Sequence, residues 1–281
     1  CLLVAIAEGG LVAGDKLGPG MGPFNVADFD NLATFPVPVV FWRSDMNSLA
    51  RNRCPIFRAS LGVDPATALT VDIRHCLFLG VILVYDKVAT WVLITRGAFG
   101  DRGTQDEILQ NASLLIRHEL HQFYTRRHRE DPTELLTRIG NFNTKTIGSH
   151  DERKLHIKGA QSWAVLLLWV ESCEAKFLGL GDEGRQLFEI GSNFVGLVQT
   201  FQAAGKRPSV PATQRAFDHW SRFLSLTESR PDLWLPKRHI VSHLLRGMEW
   251  FGNPKSYAVW HDESLNHTLK LACRTVSQAS F

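Results

Sequence analysis

"ATALTVDIRHCLFLGVILVYDKVATWVLIT", residues Ala66–Thr95, decides how the chain is built. Its opening moves from small residues into β-branched ones and stops at Asp72, the pattern of a short buried strand. From about His75 to Thr95 comes an apolar stretch of helical length, interrupted by Gly80. Strand, carboxylate, helix is an order that presents an acid at the carboxyl edge of a sheet. The longest apolar run, Cys76–Tyr85, ends at Asp86–Lys87. It falls short of the roughly 18 residues of a membrane span, so no membrane partner is expected.

Upstream, residues 1–66 are rich in Gly, Pro, Asp and Asn, and only Val39–Trp42 has strand character, punctuated by Pro36 and Pro38. This region reads as an irregular remnant of a larger N-terminal portion. The opening lacks both an initiating Met and the basic leader of a signal peptide, which points to a start inside a longer protein.

Downstream, from Asp101 to Ser229, the pattern predicts helices and little else. "TQDEILQNASLLIRHELHQFYTRRH" puts Ile108, Ala112, Leu115, Leu120 and Phe123 on one stripe, with Thr104 and Glu107 as a capping box. "GAQSWAVLLLWVESCEAKFL" is apolar nearly all round, as a buried central helix is. "DEGRQLFEIGSNFVGLVQTFQAAG" gives another helix ending at Gly205, and "PATQRAFDHWSRFLSL" one more with Pro211 near its start. Pro236 opens a short helix, Gly252-Asn253-Pro254 breaks the chain, and His261 or Asp262 begins the last helix.

The totals fit a folded chain. Hydrophobic residues make up 44% and charged residues 21% of 281, which argues against wholesale disorder. A formal charge of +3 does not establish a nucleic-acid partner, although 31 cations allow a local basic patch. The five cysteines form no CxxC pair, which disfavours a disulfide framework or zinc ribbon and fits a reducing, intracellular compartment. Cys76 and Cys173 lie in apolar surroundings and read as buried small hydrophobes.

Two acids stand at element boundaries: Asp72 after the strand and Glu263 at the start of the last helix, with Asp262 as the fallback there. Acids distant in sequence but adjacent on a sheet suit a two-metal site, because hard divalent cations take oxygen ligands and flank an in-line phosphoryl transfer. The plain alternative is that Asp72 caps a turn and Glu263 complements a helix N-terminus. The histidines do not make a zinc motif. "HELH" at His118–His121 lacks the HExxH spacing, and His239 and His243 have i, i+4 spacing with no acid after the first. No phosphate-binding loop, nucleophile elbow or dinucleotide fingerprint is present, so no nucleotide, zinc or haem is expected. Lys237, Arg238 and Lys255 share the terminal segment with Glu263 and are candidate phosphate contacts. Arg126, Arg127 and Arg129 read as a solvated helix face.

"FPVPVVFWRSDMNSLARNRCPIF", "LTVDIRHCLFLGV", "LPKRHIVSHLLRGMEWFGNPKSYAVWHDESLN" and "ACRTVSQASF" occur in that order over most of residues 35–281. Together they resemble transposase-derived proteins of the kind abundant in dinoflagellate genomes, similar in turn to CACTA-like DDE-type DNA transposases. In that family a D-x-x-H motif precedes an apolar helix, and a P-K-x-H…H…G-P/N-x-x-Y block leads to the last catalytic acid.

The resemblance implies a mainly α chain with a small β component. A partial RNase H-like core, with a strand ending at Asp72 and a final helix at Glu263, would be interrupted by a large all-helical insertion. Its parts would be 1–66, an irregular remnant; 67–100, strand and helix of the core; 101–230, the insertion; and 231–281, the return to the core. Asp72 and Glu263 would be catalytic and metal-binding, with Asp262 a further ligand and Mg²⁺ or Mn²⁺ the cofactor. Lys237, Arg238 and Lys255 would contact DNA, and His75, His239, His243 and Asn266 would support the motifs. DNA would be the partner, a homo-oligomer the assembly and the nucleus the location. One departure stands out: the family's first acid, upstream of D-x-x-H on an early strand, has no counterpart after a strand in residues 1–66. A fragment related to metal-dependent strand cleavage and transfer, inactive alone, is therefore expected. The alternatives are a non-catalytic DNA- or protein-binding helical domain of the same ancestry, and an unrelated helical domain whose acids are structural.

Overall fold

The computed structural model describes residues 71–258. The chain divides into two units at Val71–Asp72, and the helices named below all belong to the second. That unit is mainly helical, and no strand occurs among the described residues. The only β pairing among them is an isolated bridge between Gly148 and Arg153. Most of the strand expected before Asp72, and the strand expected at Val39–Trp42, lie outside the described residues. So does the expected last helix, with His261, Asp262, Glu263 and Asn266. Val71 and Asp72 themselves have no regular structure.

Helix α1 runs Arg74–Thr95 without a break at Gly80. It is wound as a π-helix over Arg74–Ile82 and as an α-helix over Leu83–Thr95. By length and composition this helix would span a membrane, but 67% of its most apolar window is buried within the fold. Here it serves as a core element, packed by α4 (Gly159–Ser172) and, along its π-wound part, by α8 (Lys237–Arg246).

Thr104 and Glu107 form the expected capping box at the start of α2 (Gln105–Glu130). The stripe is shifted from the one expected: Leu109, Ala112, Ile116, Leu120 and Phe123 are buried, whereas Leu115 is exposed. Spacings of three and four hold for both sets at several positions, and tertiary packing selects between them. Two of the three arginines expected on a solvated face are paired, Arg127 with Glu134 and Glu171 and Arg126 with Glu171, while Arg129 is exposed. Between 131 and 158 the chain is mostly irregular, against the expectation of helix, with one short turn, α3 (Thr144–Ile147). The Trp91 indole N–H clips this region to α1, donating to Ile147 O and Lys154 O at 3.2 Å each.

The apolar block expected as one helix is two. Helix α4 ends at Ser172 and α5 (Glu174–Leu178) restarts after Cys173. Helix α4 is the buried centre, with Ala164 to Trp169 all inside, and it packs on α1, α2 and α6 (Gly181–Ala203). Cys76 and Cys173 are buried thiols, as their surroundings suggested. Helices α6 and α7 (Val210–Leu226, with Pro211 at its start) pack as a hairpin.

An aromatic chain ties the layers together. Tyr85 of α1 meets Phe194 of α6 edge-on at 5.6 Å, Phe194 meets Phe223 of α7 at 4.6 Å, and Phe223 stacks on Trp220 at 4.7 Å. Such contacts add to burial itself. Gly191 makes the first contact possible. A Cβ there would lie 2.3 Å from the Tyr85 hydroxyl, which donates to Leu187 O at 3.0 Å. Gly191→Ala is therefore expected to destabilise the fold by about 2 kcal/mol, the scale of overpacking a close-packed core. The double variant with Tyr85→Phe should recover part of that loss in urea denaturation, because the clash is with the hydroxyl. Equal losses in the single and double variants would mean the strain lies elsewhere.

After α7 come a 3₁₀ turn at Pro231–Leu233, α8, α9 (Met248–Phe251) and a second 3₁₀ turn at Pro254–Tyr257. Pro236 immediately precedes α8, and Gly252, with φ of +79°, ends α9 at the expected break.

Candidate functional site

Asp72 sits just ahead of α1, and its carboxylate is engaged by the first turn. Oδ1 accepts from the Arg74 main-chain N–H at 3.3 Å, and Oδ2 accepts from the His75 main-chain N–H at 3.1 Å. This is how a capping acid satisfies the orphan donors of a helix start. Oδ2 also meets His75 Nδ1. The side chains are 8% and 18% exposed, so this contact is largely out of water. When Nδ1 carries the proton shared with Asp72, the lone pair of a neutral ring is left on Nε2. The D-x-x-H spacing thus acts locally: the acid orders the helix start and orients the histidine.

The terminal segment comes to the same place. A Cβ on Gly80 would lie 2.8 Å from Lys237 Cδ, so the aliphatic stem of Lys237 crosses α1 where α1 has no side chain. Burial raises the pKa of the Cys76 thiol, with Asp72 adding to the rise and Lys237 opposing it. Burial, and then Cys76, push Tyr257 up to about 12. Lys237 therefore converges on the π-wound part of α1, which starts just after Asp72 and carries His75 and Cys76, and Tyr257 lies within electrostatic reach of Cys76. The sequence singled out Asp72, His75 and Lys237. Locally Cys76 signals packing and Gly80 an interruption; the place of Gly80 under Lys237 depends on the approach of α8, which no local pattern carries.

The other expected site residues lie along α8 and the turn beyond α9. Arg238 turns inward, its guanidinium carbon 5.3 Å from the Phe223 ring centroid and 5.9 Å from that of Trp234. Burial lowers its pKa to about 10, although Glu228 opposes the shift. Lys255 is exposed on the last turn. His239 and His243 stand one helical turn apart with their Nε2 atoms 2.8 Å apart and their rings nearly perpendicular. Burial lowers both pKa values, that of His243 to about 4, with Arg246 adding to both shifts. The pair is thus neutral at pH 7, one ring donating to the other. In α2, His118 Nε2 lies 2.9 Å from Gln122 Nε2 on an exposed face.

A hard divalent ion takes several oxygen ligands. Asp72 is the described carboxylate at the convergence, and no group of three His, Cys, Asp or Glu able to hold an ion occurs among the described residues. These residues do not make a metal site by themselves, and they carry no chemical step through a metal. Asp262 and Glu263, the other expected ligands, lie outside the described residues.

The Pro254–Tyr257 turn is held by Asn253, 1% exposed, whose amide donates to Phe201 O at 2.8 Å, Ala204 O at 2.9 Å and Gly205 O at 3.2 Å. Its Oδ1 accepts from the Lys255 main-chain N–H at 3.1 Å. Asn253 therefore closes the C-terminal end of α6 and fixes the turn carrying Lys255 and Tyr257. No protein-family model, curated protein or solved structure matches the chain.

Proposed function

We propose that this chain is a transposase-like protein that engages DNA, related to metal-dependent strand cleavage and transfer and inactive in cleavage on its own. The observation supporting the reading is the meeting of the two blocks that carry the resemblance. The Asp72–His75 motif opens the π-wound segment of α1, and Lys237 of the Pro236–Asn266 block crosses that same segment at Gly80. The RNase H-like sheet, the first acid and the roles of Asp262 and Glu263 are part of the proposal, to which the described residues contribute helices. A bound Mg²⁺ or Mn²⁺ would supply charge neutralisation at phosphate and activate water. Asp72 would offer it an oxygen ligand while holding His75 in place, and Lys237 would bring a cation beside it. DNA binding, a homo-oligomeric assembly and a nuclear location belong to the same proposal.

A second reading, DNA or protein binding without chemistry, is favoured by one observation: the Asp72 carboxylate is already engaged by the first turn of α1 and by His75. Thermal unfolding with and without Mn²⁺ separates the two. On the transposase-like reading, Mn²⁺ at a hundred times its Kd raises the wild-type stability by about 2.7 kcal/mol, and Asp72→Asn abolishes that rise. An unchanged wild-type melting temperature across millimolar Mn²⁺ would sink the metal-binding reading and leave Asp72 as a helix-ordering acid.

A further inference from the structure

Gly252 and Asn253 are pressed onto the loop that joins α6 to α7. A Cβ on Gly252 would lie 2.4 Å from Lys206 O, and the Asn253 main-chain N–H donates to that same oxygen at 2.8 Å. Consecutive Cα atoms are about 3.8 Å apart, so this contact holds Lys206 and Arg207 close to Lys255 on one side of the turn and to Trp250 on the other. All four side chains are exposed, Trp250 by 74%. The three cations form no ion pair with a described residue, in contrast to Arg96, Arg126, Arg127 and Arg230, which do. Glu249, beside Trp250, is an exposed acid on the same short helix and leaves the patch net positive.

Unpaired cations fixed by backbone contact, next to an indole facing water, match the chemistry of a flexible polyanion that carries flat rings. Phosphates neutralise the cations and release counterions, while a base stacks on the exposed ring. Duplex DNA keeps its bases stacked inside and offers Trp250 no ring face; a single strand offers both parts.

We propose that the loop at Lys206–Arg207 and the turn at Trp250–Lys255 form a contact for single-stranded DNA, with Lys206, Arg207 and Lys255 on successive phosphates and Trp250 stacked on a base. The choice of DNA over RNA rests on the transposase-like reading. The placement of the contact does not, since it involves neither Asp72 nor a metal. Asn253 is its positioning residue, because it holds the turn against α6.

The test is fluorescence anisotropy of a labelled thymidine oligonucleotide with the whole chain in EDTA, across a salt series. Lys206→Glu with Arg207→Glu should weaken binding about thirtyfold at low salt and lower the slope of log K against log salt by about 1.4, the value for two lost phosphate contacts on a single strand. Trp250→Ala should weaken it about tenfold and leave the slope unchanged. Arg117→Glu, an exposed change on α2, serves as the control and should leave affinity within about twofold, its charge alone being screened at a distance. Equal losses in the control and patch variants overturn the proposal, as does wild-type preference for duplex or for RNA of the same sequence. Wild-type binding that survives both patch changes removes this contact but leaves the DNA reading intact, whereas the Mn²⁺ melting experiment fails or succeeds independently of it.

Discussion

At pH 8 the Asp86→Asn protein unfolds at a higher temperature than the wild type, and near pH 4 the two coincide. Asp86 stands in α1 with 0% exposure, and neither carboxylate oxygen has a hydrogen-bond partner. Burial raises its pKa well above the ordinary carboxylate value, so the fold favours the protonated, neutral side chain. An unfolded Asp titrates near 3.9. Below that pH both states hold the proton and the group costs nothing in ionisation. As pH rises, the unfolded chain gains by releasing a proton that the folded chain retains. Stability therefore falls from about pH 4 upward, by up to about 1.4 kcal/mol per pH unit, until the folded carboxyl itself titrates. Asn has the same shape and no proton to lose, so its advantage should be near zero at pH 4 and grow as the pH rises above the unfolded carboxyl value. The measurement is urea denaturation of both proteins at several pH values. A difference that does not change with pH would show that ionisation of Asp86 is not what sets it.

Asn253→Ala should be the most damaging polar substitution in the terminal segment. The side chain donates to three carbonyls at the end of α6 and accepts the Lys255 N–H, all in a site with 1% exposure. Alanine leaves those groups without partners in a place that water reaches poorly, at a cost of about 3 kcal/mol. Asn253→Asp should be worse, because a carboxylate facing three carbonyl oxygens is repelled by each of them. The order wild type, Ala, Asp in the midpoint of urea denaturation checks this. An Asp variant as stable as the wild type would mean that the donors are not what holds the turn.

Much of the helical layout could be read from local chemistry. Thr104 with Glu107, Pro211 and Pro236 mark helix starts by supplying an acceptor or by lacking a donor that is not needed there, and these effects act within one turn. The break at Cys173 carries no such signal, since the residues around it suit a continuous helix. Glycine disfavours helix by backbone entropy, so Gly80 signals an interruption in the sequence; in the fold the helix runs through it, and the Lys237 stem occupies the space a side chain would need. The same limit applies to the site. The D-x-x-H spacing is local, and its use by Asp72 and His75 stems from it, but the approach of Lys237 and Tyr257 depends on α8 folding back over α1. Asn253 is the clearest case: the sequence around it signals a chain break, whereas its amide serves the end of a helix about fifty residues earlier.

The π winding of Arg74–Ile82 makes the first part of α1 an angular spacer. Each residue of an α-helix advances the direction of its side chain by about 100°, and a π segment advances more slowly over the same number of residues. The bearing of Asp72 and His75 relative to Tyr85, Asp86 and Trp91 is therefore a count of residues as much as a matter of contacts. Deleting one residue between Cys76 and Ile82 would let the segment relax to α winding and would change the bearing of the acid and the histidine around the helix axis relative to Tyr85, Asp86 and Trp91. Length, in this stretch, encodes direction.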